Sequence, residues 1–541
     1  MAKVYGIDLG TTNSSIASFD GRQVDFIHPQ NAVMGGDWVP SVIYYERETG
    51  KPVVGASAKN ALGSPRETSR IVTFTKRYMG QENYPEKILI QNERASISPV
   101  EGSACILHHL LSCANEESLG NGGTTSNKAV ITIPAAFSNK QRECTKLAAE
   151  LAGIEVLGLV HEPTAAAISY GIRSGDTVLV FDLGGGTLDV SIVKNNRGDY
   201  KVLAAAGDSD VLQRNIGGKD WDDKLLELAI NQHEYELGRL PNLSKETELW
   251  RLKKSVEECK VCLSTMQEGV IDFPDFTSET ITRADFVRYT DNLVVDCLKV
   301  VKAAIDKADS DSTSGPVRID RCVLAGGSSN MPEIKRRLSS YLADRIANGR
   351  SESQWLHLAK PERAIVEGAA RYAYMLANEG ASDNGVLVGV EEKSSHSYGT
   401  KQTNSRTGDF EVRNLILSTD PMIVDSRPFS FFTMKDKQSG VVVDLFENNS
   451  TDSRIPFSDQ LNKIYEKDYV FDNPENVKRH TKVSFIVSRN RDGIISIRVE
   501  SEGHHSEDFE IATVFPPITD EQKRHIVSSI QLMDLIPEDC K

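Results

Sequence analysis

The chain has 541 residues, 39% hydrophobic and 26% charged, an ordinary globular composition rather than that of a disordered chain. Its formal charge of −15 excludes a mainly electrostatic grip on nucleic acid or anionic lipid, which needs clustered Lys and Arg. No run approaches the roughly 18 apolar residues of a membrane span, and nothing near Met1 has a basic segment followed by an apolar one, so a soluble, cytoplasmic chain is expected.

At this length one core is not enough, and two or three domains are expected. The eight cysteines are scattered without the spacing of a disulfide scaffold, which predicts free, mostly buried thiols. Cys259 and Cys262 form a C-x-x-C with no second pair or His cluster to complete a zinc site.

In chain order, the first element is KVYGIDLGTTNSSIASFD, an apolar run, a Gly-Thr-Thr turn and a second alternating run, which reads as a β-hairpin. AVITIPAAF reads as a strand, and Ser138 with Gln141 as the capping box of a helix that Gly153 ends. VLGLVHEPTAAAISYG is a strand, then a helix opened by Pro163 and closed at Gly171. TVLVFDLGGGTLDVSIVKN repeats the opening hairpin, so two related α/β halves are implied. The pattern from Leu225 to Ala308 reads as predominantly helical. CVLAGGSSNMPEIKRRL adds a strand, a third glycine turn and a helix, and PERAIVEGAARYAYMLA a final helix, so the first unit ends near Asn378. NEGASDNG reads as a linker. Beyond it the texture becomes short alternating runs, with Asp492-Gly493 as a hairpin turn, which predicts a β-sandwich followed by one short helix near Thr519 to Leu532.

A triphosphate held in a cleft needs backbone N–H groups at its oxygens, hydroxyls to complete the cage, and carboxylates to order the waters of a hydrated magnesium ion. The two hairpins carry all three: Gly10, Thr11, Thr12 and Asn13 face Gly184, Gly185, Gly186 and Thr187, with Asp8 and Asp182 as the carboxylates. Glycines in such turns also serve hairpin geometry alone. The repetition, followed by the third turn at Gly326, Gly327 and Ser328, favours the phosphate reading.

The segments MAKVYGIDLGTTNS, IPAAFSNKQR, HEPTAAAISYG, FDLGGGTLDVS, IGGKDWD, LAGGSSNMP and GAARYAY, in this order, resemble the signature of the seventy-kilodalton heat-shock (DnaK-type) chaperones, over residues 1 to about 378. The resemblance implies an α/β actin-like, ribonuclease-H-like duplicated ATPase domain at 1–378, a linker at 379–392, an all-β sandwich for substrate at 393–518, and at 519–541 a short helix, the start of a truncated lid. It implies ATP or ADP with Mg2+, and K+ as an optional further ion. Asp8 and Asp182 then hold magnesium through water, and Thr11, Thr12 and Thr187 meet the phosphates. Lys76 is the catalytic lysine, a role that suits a cation beside a transferring phosphoryl group. Without the resemblance, Lys76 reads as one more exposed lysine. Glu162 matches a glutamate that reads the nucleotide state and Asp189 a carboxylate near the attacking water; either also suits a helix cap. Gly217 and Gly218 match a further phosphate-side pair. Glu257, Lys260 and Ser264 match the face that holds adenosine, and Pro134 and Arg142 match an interdomain relay.

The chain departs from the family where Asn330 and Val261 replace arginines that stack on adenine, which removes cation–π contributions and predicts weaker nucleotide binding. Glu362 replaces an aspartate, Ala136 stands where a tyrosine is common, and Gly389 takes the place of the linker's aspartate. In the β domain, Ser397, Tyr398 and the strands from Phe410 to Leu417 are candidate walls of a peptide groove. The chain stops at Lys541, where the family's lid would begin, so a restricted range of clients is expected.

The function expected is an ATP-dependent chaperone with slow hydrolysis, acting as a monomer on extended polypeptide, with a J-domain partner and a nucleotide exchange factor implied by resemblance. No nucleic acid or membrane partner is expected. The alternative is a nucleotide-gated scaffold that holds one dedicated partner with little hydrolysis. A sugar kinase or a filament-forming actin relative fits less well, given the appended β domain.

Overall fold

Two sheets with the same strand order carry the two sequence echoes. In the computed structural model the described residues are 3–533, apart from 30–31, 33–35, 65, 136, 172, 197–198, 242, 244–245, 311, 313–314, 347–350, 358–359, 379–389, 392–395, 422–423, 449, 491–493 and 512–519. Ala136, Gly385 to Gly389 of the linker and the Asp492-Gly493 turn therefore lie outside the described residues. The chain forms two compact units, one of Met1–Ala135, Thr145–Val388 and Asp520–Lys541, the other of Ala136–Cys144 and Gly389–Thr519.

In the first unit, strand Tyr5–Asp8 runs parallel to Lys128–Ile133, which runs parallel to Glu155–His161, while Asn13–Phe19 folds back antiparallel on the other side. The second sheet repeats the scheme: Thr177–Leu183 lies parallel to Arg321–Ala325, that strand lies parallel to Leu356–His357, and Leu188–Asn196 returns antiparallel. The central strands are buried almost throughout, as expected of parallel strands covered on both faces.

Helix Pro361–Ala377 ties both sheets to helix Glu162–Ser169 through a seam of small residues. A side-chain carbon at Gly6 would fall 2.1 Å from the Ala370 nitrogen, and one at Gly368 would fall 1.7 Å from the Ala165 carbonyl oxygen. Glycine is required because backbone meets backbone. The seam fixes the strand that ends in Asp8 against the helix that begins with Glu162.

The second sheet is covered by helices Gly218–Leu237, Glu246–Leu263 and Asp291–Ser310, whose buried faces close one core around Phe181, Val190, Trp221, Val256 and Val301. The stretch read as predominantly helical contains a hairpin, Glu268–Asp272 with Ser278–Thr282. Its strands alternate exposed and buried over only five residues each, too short a period-2 signal between strong helices. Helix Asp520–Met533 packs on helix Pro99–Gly120, burying Ile526, Ser529 and Ile530.

In the second unit, one sheet orders Arg454–Pro456, Phe410–Ile416, Ser397–Thr403, Gly440–Asn448 and Asn462–Val470, and the other orders Val424–Phe432, Lys482–Arg489, Ile495–Ser501 and Glu507–Ile511. Inward residues of both, among them Leu415, Val443, Leu445, Val487 and Ile497, share one core, the arrangement of a β-sandwich. Ser397 and Tyr398, expected in a groove wall, are buried instead: Ser397 Oγ donates to the Ser450 carbonyl at 2.6 Å, and Tyr398 Oη to Glu447 at 3.1 Å. Residues 397 to 400 are all buried, so both faces of the strand are covered at this end and neither residue is open to a peptide.

Candidate functional site

The parallel pairing of Tyr5–Asp8 with Lys128–Ile133 sets Asp8 beside Thr132, whose Oγ1 donates to Asp8 Oδ1 at 2.9 Å. The loop that follows is braced from its own side. The Gly10 amide donates to Ser14 Oγ at 3.1 Å, Ser41 Oγ donates to the Gly10 carbonyl at 2.8 Å, and the Ser41 amide donates to the Thr12 carbonyl at 2.8 Å. A side-chain carbon at Gly10 would fall 1.9 Å from the Asn13 carbonyl oxygen.

The second loop is built the same way. The Gly184 amide donates to the Thr187 carbonyl at 3.0 Å, and Asp182 pairs in register with Asp189 across the hairpin. The loop around Gly217 and Gly218, the third glycine loop along the folded site and distinct from the turn at Gly326, is stitched to it: the Gly218 amide donates to the Gly184 carbonyl at 3.0 Å and the Lys219 amide to the Gly185 carbonyl at 2.9 Å. Gly326, at φ +76°, brings the turn after Arg321–Ala325 against Leu183 and Asp182, leaving no room for a side chain.

The two echoed loops meet. A side-chain carbon at Gly185 would fall 2.3 Å from Thr12 Oγ1, and that hydroxyl is buried without a hydrogen-bond partner. An orphaned buried hydroxyl is costly unless a ligand satisfies it.

Beside the loops, Lys76 sits on the 3-10 turn Thr75–Tyr78, 6% exposed, and donates to Glu162, also 6% exposed, at the first position of its helix. Burial pulls the Lys76 ammonium down, but Glu162, Asp8 and Asp182 together push it above its usual range, so it stays charged. The carboxyls respond in the opposite direction. Burial, then Glu162, lift Asp8 to about 6 against the pull of Lys76 and Thr132. Burial and neighbouring carboxylates hold Asp182 and Asp189 well above the usual carboxylate range. One lysine thus stands among four acids. A divalent cation would relieve exactly this kind of crowding, so the donor set fits a hydrated metal held beside phosphate oxygens. Among the described residues no group of three or more His, Cys, Asp or Glu side chains is arranged to ligate a metal directly.

The residues expected at the adenosine are less closely gathered. Lys260 Nζ reaches the third loop, donating to the Gly218 carbonyl at 3.1 Å and pairing with Asp222 at 2.7 Å, and Ser328 Oγ lies against Gly218. Glu257 instead pairs with Lys59 at 3.2 Å, and Ser264 Oγ donates to the Lys260 carbonyl at 3.4 Å just beyond the helix end. Asn330 is exposed, its Nδ2 donating to the Gly327 carbonyl at 3.1 Å, and Val261 is 64% exposed. Glu362 stands in the first turn of helix Pro361–Ala377. Pro134 follows the end of strand Lys128–Ile133, while Arg142 belongs to the second unit, buried, its Nε donating to the Phe137 carbonyl at 3.2 Å.

Sequence reasoning passed over Arg77 and Asp208. Arg77 Nη2 donates to the Gly186 carbonyl at 2.5 Å with its guanidinium over the Phe74 ring; its place next to Lys76 was the available signal. Asp208 lies just after the Gly207 that pairs with Asp189, and its role shows only once the loops are folded.

The seven described cysteines are free thiols, all buried except the half-buried Cys262. No helix among the described residues is long and apolar enough to cross a membrane.

A family model described as Hsp70 protein matches residues 4–531. The chain is 34% identical over 410 residues to a protein named Chaperone protein DnaK from Mycoplasmopsis agalactiae, covering 72% of this chain and 61% of that one. It is 34% identical over 407 residues to Chaperone protein dnaK of Gracilaria tenuistipitata var. liui, covering 70% and 61%. The aligned region thus spans less than two thirds of either relative. With a family model matched over nearly its whole length, the chain belongs to the Hsp70 family.

Proposed function

We propose that the chain is an ATP-dependent molecular chaperone in which slow ATP hydrolysis in the first unit governs binding and release of extended polypeptide by the second. The observation that carries this reading is the meeting of the Thr12 and Gly185 loops beside a buried lysine surrounded by acids. In this reading residues 1–378 are a duplicated actin-like ATPase domain, 379–392 the linker, 393–518 the substrate-binding sandwich and 519–541 the start of a lid.

The loops Gly10 to Asn13 and Gly184 to Thr187, with Gly217 and Gly218 packed against the second, would present to the phosphates their hydroxyls and those backbone amides not already used in bracing the loops. Asp8 and Asp182 would hold Mg2+ through its waters; the ion supplies positive charge between phosphate oxygens. Lys76, kept protonated by Glu162, offsets charge that develops on the transferred phosphoryl group. The Asp189 carboxyl, held well above the usual range by burial and then by neighbouring carboxylates, would in its ionised form accept a proton from the attacking water. Glu162 begins a helix packed on the glycine seam, so a change of charge at Lys76 acts directly on that helix. Val261 and Asn330 offer adenine no cation to stack on, so the nucleotide is held less tightly than by an arginine at either place.

The sandwich leaves Phe432, Met434, Val442 and Val470 more than half exposed. Val442 pairs with Asp468 and Gly440 with Val470, so the two valines are diagonal neighbours on one face. Such apolar side chains beside strand edges suit an extended peptide held by main-chain hydrogen bonds and a side-chain pocket. Clients, a J-domain partner and an exchange factor follow from the family, with a cytoplasmic monomer as the working form.

The test is release of a fluorescent peptide rich in Leu and Val. Dissociation at least about tenfold faster with ATP than with ADP is expected; equal rates overturn the coupling.

A further inference from the structure

One oxygen of Asp208 joins two glycine loops. Asp208 Oδ2 accepts from the Leu188 amide at 2.8 Å and from the Ile216 amide at 2.7 Å. Leu188 follows Thr187 of the second loop, and Ile216 precedes Gly217 of the third. The residue is 3% exposed, so both bonds are made out of water, where an unmade one is costly.

The connection between 208 and 216 is shaped to close this bridge. The strand Asp199–Gly207 ends opposite Asp189, a short helix Asp208–Leu212 follows, and Gln213 turns the chain back at φ 58°. Arg214 then anchors the return to helix Asp291–Ser310 through Asp296 at 2.6 Å. The chain thereby brings the amide of residue 216 to the carboxylate of residue 208. At the far side of the same two loops, the Gly218 and Lys219 amides bond to the Gly184 and Gly185 carbonyls. The loops touch in between, since a side-chain carbon at Gly217 would fall 2.4 Å from the Gly186 nitrogen.

We propose that Asp208 is a positioning residue that locks the second and third glycine loops into one rigid phosphate cradle. The proposal rests on the nucleotide reading of that site. Asp208 acts through Leu188 and Ile216, whose amides it occupies so that neither loop rotates. Loss of the acceptor leaves two buried N–H groups unpaired, and the loops relax to satisfy them, which misaligns the neighbouring amides.

The test uses the full chain with Asp208→Ala and Asp208→Asn, read by hydrogen exchange without nucleotide and by ATP binding. In Asp208→Ala, amides at 184–188 and 216–219 are expected to exchange faster together, and ATP affinity to fall about tenfold or more. Asp208→Asn keeps an oxygen that can accept both amides and should restore affinity to within about threefold. Loosened loops with unchanged affinity, or unchanged exchange in Asp208→Ala, overturn the positioning role. If Asp208→Ala does not fold, a folded Asp208→Asn with more than about a tenfold loss does the same. An unmutated chain that takes up no ATP sinks the nucleotide reading instead, while the exchange data still report whether the loops are joined.

Discussion

Lys76 and Glu162 lie 86 positions apart in sequence yet form a buried ion pair that joins the 3-10 turn Thr75–Tyr78 to the start of helix Glu162–Ser169. Breaking a buried pair strands the remaining charge and costs about 3–5 kcal/mol. Here the direction of the break matters. In Glu162→Gln, Lys76 still faces Asp8 and Asp182. In Lys76→Ala, the cation that lowers Asp8, Asp182 and Asp189 disappears. Lys76→Ala should therefore cut single-turnover hydrolysis about 100-fold or more, with Glu162→Gln the milder variant. Rapid-quench measurement of one turnover ranks the two; the reverse order contradicts the assignment.

Gly185 and Gly184 are adjacent but stand in different surroundings. A side-chain carbon at Gly185 would collide with Thr12 Oγ1 at 2.3 Å, whereas one at Gly184 would sit 3.7 Å from the Thr187 carbonyl oxygen. Gly185→Ala is expected to weaken ATP binding about tenfold or more, roughly 1.4 kcal/mol, and Gly184→Ala far less. Calorimetric titration of both variants decides this, and equal losses would show that the meeting of the two loops has no bearing on the ligand.

The seam at Gly368 makes a stability prediction. Its added carbon would sit 1.7 Å from the Ala165 carbonyl oxygen, backbone on both sides. No side-chain rotation relieves that clash, so Gly368→Ala should cost about 1–3 kcal/mol or more. Chemical denaturation monitored in the first unit reads the loss.

Glu101 gives the pH dependence. It lies 3% exposed under helix Asp520–Met533, and burial lifts its carboxyl from 4.5 to about 7, offset in part by hydrogen bonds from Tyr45 and Ser529. The facing groups are Tyr45 Oη at 3.4 Å and His525 Nε2 at 3.8 Å, with Cys105 one turn along its own helix. A carboxyl whose pKa is raised on folding stabilises the folded form fully below about 4.5 and loses that contribution as pH rises through about 7. The unmutated chain should thus lose stability relative to Glu101→Gln between pH 5 and pH 8, by roughly 3 °C or more in Tm. Parallel melting curves without nucleotide test this.

What the sequence showed and what it hid have physical reasons. The two glycine hairpins were legible because strand, turn and strand are local, and period-2 apolar runs around Gly10 and Gly185 mark them. Ser138 and Gln141 form the expected capping box, with bonds in both directions, because that motif spans only four residues. Apart from the family resemblance, Lys76 read as a surface lysine because its partner is 86 positions away. Glu101 drew no notice in the sequence: Ser98 accepts from its amide at the start of helix Pro99–Gly120, but its burial involves a helix more than 400 positions later. Tyr398 was only a candidate for the groove wall, because sequence alone does not tell a core position of a sandwich strand from a groove position, and it lies in the core.

The most direct measurement is ATP binding by calorimetry, followed by single-turnover hydrolysis, on the unmutated chain and Lys76→Ala. The account predicts that both bind ATP in the presence of Mg2+ and that only the unmutated chain hydrolyses it at a measurable rate. Failure of the unmutated chain to bind ATP, or equal hydrolysis by the two, would contradict it.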